Sequence, residues 1–178
     1  PPFVLMNPIE IRKATVSDVE AIQKLSIQTF KETFSAVNTP ENLANYIKDS
    51  FSLEQLTAEL NNENSQFYVA YSNAKAVGYL KINFGAAQTE TISGNTLEIH
   101  RIYVLQTFHG KNIGQLLLDQ AKKIAKHTNV DSIWLGVWEE NLRALQFYIK
   151  NGFVAFDKHI FTLGNDKQTD LLMQLPIN

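Results

Sequence analysis

The stretch Leu97-Glu98-Ile99-His100-Arg101-Ile102-Tyr103-Val104-Leu105-Gln106-Thr107-Phe108-His109-Gly110-Lys111-Asn112-Ile113-Gly114, running on into Gln115-Leu116-Leu117-Leu118, changes its hydrophobic period part-way along. Through Val104 it alternates as a strand does. Glu98, His100, Ile102 and Val104 fall on one face, with Ile99, Arg101 and Tyr103 on the other. From Ile113 the inward positions become Ile113, Leu116, Leu117, Ile124 and Ala125, one face of a helix reaching about Lys126. Between them lie a turn, Leu105–His109, and a loop of small residues. A strand that enters a helix through such a loop aims free backbone N–H groups and the positive helix end at one point, which suits a pyrophosphate. The dinucleotide fingerprint and the P-loop are both excluded by the glycine spacing and the missing Lys-Ser/Thr ending. The same spacing also fits a tight strand-to-helix turn that needs only Gly110.

Working outward, Ser132–Trp138 reads as a strand, Asn141–Lys150 as a helix and Phe153–Thr162 as a strand. A last strand, Thr169–Leu175, follows the turn at Gly164-Asn165-Asp166. Upstream, Ile9–Ala14 alternates as a strand. Ser17 with Glu20 forms a capping box for a helix with the stripe Val19, Ile22, Leu25, Ile27, Phe30 and Phe34. Thr39-Pro40-Glu41 and Ser52 with Gln55 start two further helices, the second at Leu53–Leu60. Phe67–Tyr71 and Val77–Ile82 form a hairpin about Ser72-Asn73, and residues 84–95 a polar loop. The order β-α-α-α-β-β-β-α-β-α-β-β predicts an α/β (α+β mixed) chain. It is a central mixed sheet of about seven strands with helices on both faces, without doubly wound alternation.

Composition supports one domain over residues 1–178: 44% of the 178 residues are hydrophobic and 19% charged. The chain has no cysteine, which excludes disulfides, thiolate catalysis and zinc-thiolate sites, and fits a cytoplasmic location. No apolar run approaches the roughly 18–20 residues of a membrane helix. Pro1–Met6 resembles no signal peptide, and Met6 is a candidate for the natural start. The net charge of −2 argues against nucleic acid as a partner. Residues 1–65 hold nine acidic and five basic side chains (net −4), and residues 66–178 hold nine and eleven (net +2). Ordinary solvated faces account for this split, as do an anionic cofactor on the second part and a cationic substrate near the first. The four histidines show no metal-ligand spacing, so no metal is expected. Trp134 and Trp138 share a strand face and read as core, and Glu139-Glu140 as a solvated turn, with part of an acceptor rim as the other reading.

Residues 97–118 resemble the first motif of the GNAT acetyltransferases, whose loop reads Gln/Arg-x-x-Gly-x-Gly/Ala. Asn141-Leu142-Arg143-Ala144-Leu145-Gln146-Phe147-Tyr148-Ile149-Lys150-Asn151-Gly152-Phe153 resembles the family's second signature, Asn-x-x-Ala-x-x-Phe-Tyr-x-x-x-Gly-Phe. His109 and Asn112 depart from the first motif; Asn tolerates left-handed backbone angles, and a histidine can still donate to phosphate. The resemblance implies a GNAT fold with a mostly antiparallel sheet and acetyl-CoA as co-substrate. It implies that the main chain of Ile102, Tyr103 and Val104 pairs with the pantetheine arm in a slot opened by splaying from Ser132–Trp138. His109, Gly110, Lys111, Asn112, Ile113 and Gly114 would hold the pyrophosphate, and Asn141 and Lys150 would complete the cofactor site. Tyr148 occupies the family's usual position for protonating the leaving thiolate, and backbone N–H groups near Tyr103–Val104 would face the developing oxyanion.

An amine acceptor needs help in losing a proton. Glu98 and His100 match positions where family members carry a base, with Glu98 first because a carboxylate also attracts a cation. Structural readings stand beside each: an ion-paired carboxylate, a satisfied histidine, a core tyrosine. Across nearly the whole chain from Ile9, segments such as Gln28–Phe34 and Ile133–Glu139 resemble bacterial polyamine acetyltransferases. The implied acceptor is spermidine or spermine. Acetylation of a protein N-terminus or another small amine, and a CoA-binding regulatory domain, are the other readings. The partner expected is a small-molecule amine, on a monomer or homodimer.

Overall fold

The computed structural model describes residues 8–178; Pro1–Met6, and with them the reading of Met6 as a start, lie outside the described residues. Strand β1 (Ile9–Lys13) is followed by three helices, α1 (Val19–Phe34), α2 (Pro40–Ser50) and α3 (Leu53–Asn61). Both α2 and α3 start on hydroxyl caps: Thr39 accepts from the Asn42 N–H at 3.1 Å, and Ser52 from that of Gln55 at 3.1 Å. The capping box before α1 lies two residues earlier than Ser17–Glu20. Thr15 donates its N–H to the Asp18 carboxylate at 2.8 Å, closing a short 3-10 turn from which α1 departs. Ser17 is occupied instead by the Thr15 hydroxyl, at 2.7 Å.

The hairpin of β2 (Ser65–Ser72) and β3 (Lys75–Phe84) turns on Asn73, whose φ of 55° suits asparagine. Then come β4 (Thr96–Val104), α4 (Ile113–His127), β5 (Ser132–Trp138), α5 (Leu142–Lys150), β6 (Val154–Leu163) and β7 (Asp166–Pro176). Among the described residues these seven strands form one sheet in the order β1-β2-β3-β4-β5-β7-β6. Only β4 and β5 run parallel. No helix among the described residues is long and apolar enough to cross a membrane.

Each sheet face has its own core. On one, α4 and α5 cover Leu80, Ile82, Leu97, Ile99, Ile133 and Leu135. The inward stripe of α4 centres on Leu117, Leu118 and Ala121, all at 0% exposure, with Leu116 only half-buried at its margin. Burying a leucine of this kind stabilises the fold by about 1.5–3 kcal/mol. On the other face, α1–α3 pack Ile22, Leu25, Phe30 and Leu56 onto Phe67, Val69 and Tyr79.

The alternation expected for β4 breaks at one point. Lys81 pairs with Arg101 but Ile82 pairs with Ile99, so His100 is an extra residue, a β-bulge. Parity reverses across it. Leu97 and Ile99 lie on the α4 face together with Ile102 and Val104, whereas Glu98 shares the opposite face with Arg101 and Tyr103. The expected single face of Glu98, His100, Ile102 and Val104 is therefore corrected: Glu98 and His100 are on one side of the sheet, Ile102 and Val104 on the other.

Candidate active site

β4 and β5 pair only from Thr96/Ser132 to Ile99/Leu135, although β4 runs on to Val104 and β5 to Trp138. Where the pairing ends a cleft of about 1040 Å³ opens, with Ile102, Tyr103 and Val104 on one wall and Gly136, Val137 and Trp138 on the other. The β4 edge past Ile99 thus has no strand on that side, and its main chain is available to an extended ligand.

The loop before α4 lines the same cleft. Gly110 and Asn112 both have left-handed backbones, with φ of 79° and 66°. Asn112 is the N-cap of α4, and its side chain makes no capping bond. The first-turn N–H groups at Ile113 and Gly114 are thus left for an anion in the cleft. An added Cβ at Gly114 would meet nothing nearer than Phe147 Cζ, at 3.9 Å. Among the expected cofactor residues, His109, Gly110, Asn112, Ile113, Gly114, Asn141 and Lys150 line the cleft with the three β4 residues. Lys111 is not among the lining residues; its ammonium lies over the Phe108 ring, 5.1 Å from the centroid.

Two side chains are engaged in ways the sequence did not reveal. The His109 ring meets the Val104 carbonyl through Nε2, at 2.9 Å, and Arg143 through Nδ1. The contact with the carbonyl pins the loop to the end of β4. The cation beside it is Arg143, on the first turn of α5, which also lines the cleft. Asn141 caps α5, accepting the Ala144 N–H at 3.3 Å, which leaves its amide N–H groups for a ligand.

Tyr148 lies in the last turn of α5, packed edge-on against Phe153 with centroids 5.6 Å apart. The residue lines the cleft, and burial raises its pKa well above the ordinary 10, so the hydroxyl holds its proton.

Glu98 is 3% exposed and its carboxylate is heavily engaged. It accepts from Asn83 Nδ2 at 3.0 Å, the Thr89 N–H at 2.8 Å and the Thr89 hydroxyl at 2.5 Å. It anchors the 85–95 loop to the sheet. His100 Nδ1 receives Lys81 Nζ at 2.9 Å. Burial, then the Arg101 and Lys81 cations, hold its pKa well below 6.5. A neutral imidazole that accepts at Nδ1 carries its proton on Nε2, so the remaining nitrogen is a donor; this geometry argues against His100 as the base.

The acetyltransferase (GNAT) family model matches residues 23–153, which span both the Gly110 loop and the Tyr148 helix. The chain belongs to the acetyltransferase (GNAT) family. An uncharacterized N-acetyltransferase of Lactobacillus delbrueckii subsp. lactis is 33% identical over 169 residues, covering 95% of this chain and 98% of the relative. The spermidine N(1)-acetyltransferase of Thermoplasma acidophilum is 28% identical over 153 residues, covering 84% and 90%. Among solved structures, the PaiA N-acetyltransferase of Thermoplasma acidophilum in complex with coenzyme A superimposes with a TM-score of 0.78 at 26% identity. That match covers 95% of this chain and 99% of the other. This GNAT member is an acetyl-CoA-dependent N-acetyltransferase, and both the mixed seven-stranded sheet and the resemblance to PaiA agree with the sequence reading.

The acetyltransferase has a further group of ionisable residues on its cleft that sequence reading missed. Asp170 on β7 is paired in register with Trp138 on β5 and His159 on β6. Glu90, from the 85–95 loop, contacts His159 Nδ1, and Asp157 lies 3.5 Å from the other ring nitrogen. Glu90, Glu98 and Asp170 all line the cleft. Burial, and then the Glu90 charge, push the Asp170 carboxyl from 3.8 up to about 6, against the opposing pull of His159. Sequence distance hid this group, since residues 90, 159 and 170 meet only through the β6–β7 hairpin and a loop.

Proposed function

We propose that this acetyltransferase acetylates a polyamine such as spermidine or spermine by direct attack in a ternary complex. The observation that carries the reading is that the cleft joins an anion-binding helix start to a wall bearing Glu90, Glu98 and Asp170. The similarity to a spermidine acetyltransferase over 84% of the chain supports it. Acetyl-CoA supplies the activated acyl group. The main chain of Ile102–Val104, with Asn141 and Lys150, holds the arm, and the first-turn N–H groups of α4, with Arg143, hold the pyrophosphate. Tyr148 gives its proton to the departing sulfur. An amine with a lysine-like pKa of about 10.4 costs about 4.6 kcal/mol to neutralise at pH 7, so the acceptor end must also remove a proton.

Turnover across a panel of amines, followed by release of free thiol, tests the acceptor. Spermidine and spermine are expected to react faster than lysine or short peptides. A polycation meets several carboxylates at once, and salt screens that attraction, with a Debye length of about 10 Å at 0.1 M. kcat/KM for spermine should therefore fall with added salt more steeply than for a monoamine. A second reading comes from the N-alpha-acetyltransferase of Sulfolobus acidocaldarius, 27% identical over 164 residues. A peptide that outcompetes spermidine at equal concentration would select it.

The cofactor end is tested separately by Gly114→Leu. A Cβ has room at this position, so the fold is expected to tolerate the change. The rest of the side chain would occupy the space in front of the first-turn N–H groups. Calorimetry should show CoA affinity reduced at least tenfold; parental affinity would place the pyrophosphate elsewhere.

A further inference from the structure

The acceptor amine arrives as an ammonium ion, and something in the cleft must take its proton. Both groups expected from sequence are already committed. The Glu98 carboxylate holds Asn83 and Thr89, and the His100 Nδ1 lone pair faces Lys81. Asp170 is different. Half-buried on the cleft wall, its carboxylate receives no hydrogen bond among the described residues. Its Oδ2 would lie 3.6 Å from a Cβ placed on Gly136, the β5 residue facing the cleft just beyond the last β4–β5 pair. A bare glycine and an unbonded carboxylate together make an opening for a cationic nitrogen beside the slot bounded by Ile102–Val104 and Tyr148.

We propose that Asp170 receives the acceptor ammonium and takes its proton, with Glu90 beside it on the same wall. The assignment rests on the amine-acetylation reading above and adds the acceptor-side residue to it. The ammonium transfers one proton to the Asp170 carboxylate, and the freed nitrogen lone pair forms the bond to the acetyl carbon as the carbon–sulfur bond breaks. Tyr148 protonates the thiolate. The nitrogen loses its second proton to solvent, solvent returns one to the tyrosinate, and Asp170 gives its proton up to solvent before the next turnover. Titratable groups facing Asp170 are Glu90 from the 85–95 loop and His159 from β6, with Asp157 behind His159. β5 contributes Trp138, and α1 the Phe34 ring tilted against that tryptophan, with centroids 5.6 Å apart.

The test is the pH profile of kcat/KM for spermidine in the full-length enzyme. The parent should lose activity below about pH 6, as the carboxyl protonates. Asp170→Asn should lower kcat/KM by about a hundredfold or more and abolish that limb, while CoA affinity by calorimetry stays parental. Glu90→Gln should move the limb to lower pH, because a neighbouring negative charge no longer opposes ionisation. The carbon-13 carboxyl titration of Asp170 should move with it. An Asp170→Asn enzyme with parental rate and limb overturns the proposal, as does a Glu90→Gln limb that stays in place. If Asp170→Asn does not fold, the Glu90→Gln profile and carboxyl titration decide alone. A parent inert toward every amine, yet binding CoA, sinks the amine reading itself and this assignment with it.

Discussion

Replacing Tyr148 by phenylalanine should reduce kcat by about a hundredfold or more while leaving the KM for acetyl-CoA within a few-fold of parental. The ring is held by Phe147 and Phe153, centroids 5.4 and 5.6 Å away, and the variant keeps all of that packing. Only the hydroxyl is lost, and it matters when the thiolate leaves, which is why the effect belongs in kcat. The phenol's raised pKa ensures that the acid form is fully populated at every working pH. Steady-state kinetics with spermidine, backed by a single-turnover measurement so that product release does not mask chemistry, provides the check. A variant with parental single-turnover rate would reduce Tyr148 to a packing residue.

The largest loss of stability is expected at Glu59, which no functional argument touches. It accepts Lys81 Nζ at 2.7 Å and Arg101 Nη1 at 3.0 Å through one oxygen, and Gln55 at 2.9 Å through the other. The Lys81 and Arg101 side chains are only 5% and 10% exposed. Glu59→Gln removes the sole carboxylate salt-bridged to the two cations among the described residues, and breaking a buried pair in this way costs about 3–5 kcal/mol. For a chain of this size that is a Tm lower by roughly 6–20 °C, measurable by calorimetry. The pH dependence supplies a second signature. Burial works to raise the Glu59 pKa, but Arg101 and Lys81 outweigh it, and the folded value is below the ordinary 4.5. An acid with a depressed folded pKa stabilises the fold fully above its unfolded value and loses that contribution as pH falls through the folded one. Parent and variant should therefore differ most near neutrality and converge in acid.

The fold was legible because its signals are local. Thr39 and Ser52 announce their helices within four residues, Asn73 announces its hairpin, and the strand–loop–helix run at 97–118 carries the cofactor end in one segment. The cap before α1 was misplaced because Thr15-x-x-Asp18 and Ser17-x-x-Glu20 overlap, and only the 3-10 turn distinguishes them. The face of Glu98 was misread because a bulge leaves no mark in the alternation: His100 simply occupies one more place in a strand pattern. The group of Glu90, His159 and Asp170 was invisible for a different reason. His159 and Glu90 are 69 residues apart, and they meet only once the sheet and the 85–95 loop bring them together; the Arg143–His109 pair at the cofactor end, 34 residues apart, was hidden in the same way.

The two tryptophans of the chain are Trp134 and Trp138, and both line the cleft. Each indole N–H is tied to a glutamine, Trp134 to Gln88 and Trp138 to Gln168, both at 2.8 Å. Gln88 belongs to the loop that also carries Glu90, and Trp138 stands in register beside Asp170. The whole of the protein's indole emission thus originates on the cleft, beside Gln88 and Asp170, with no tryptophan elsewhere to dilute it. The enzyme carries its own optical probe, and a shift in its fluorescence spectrum is a report from the place where the amine is meant to sit.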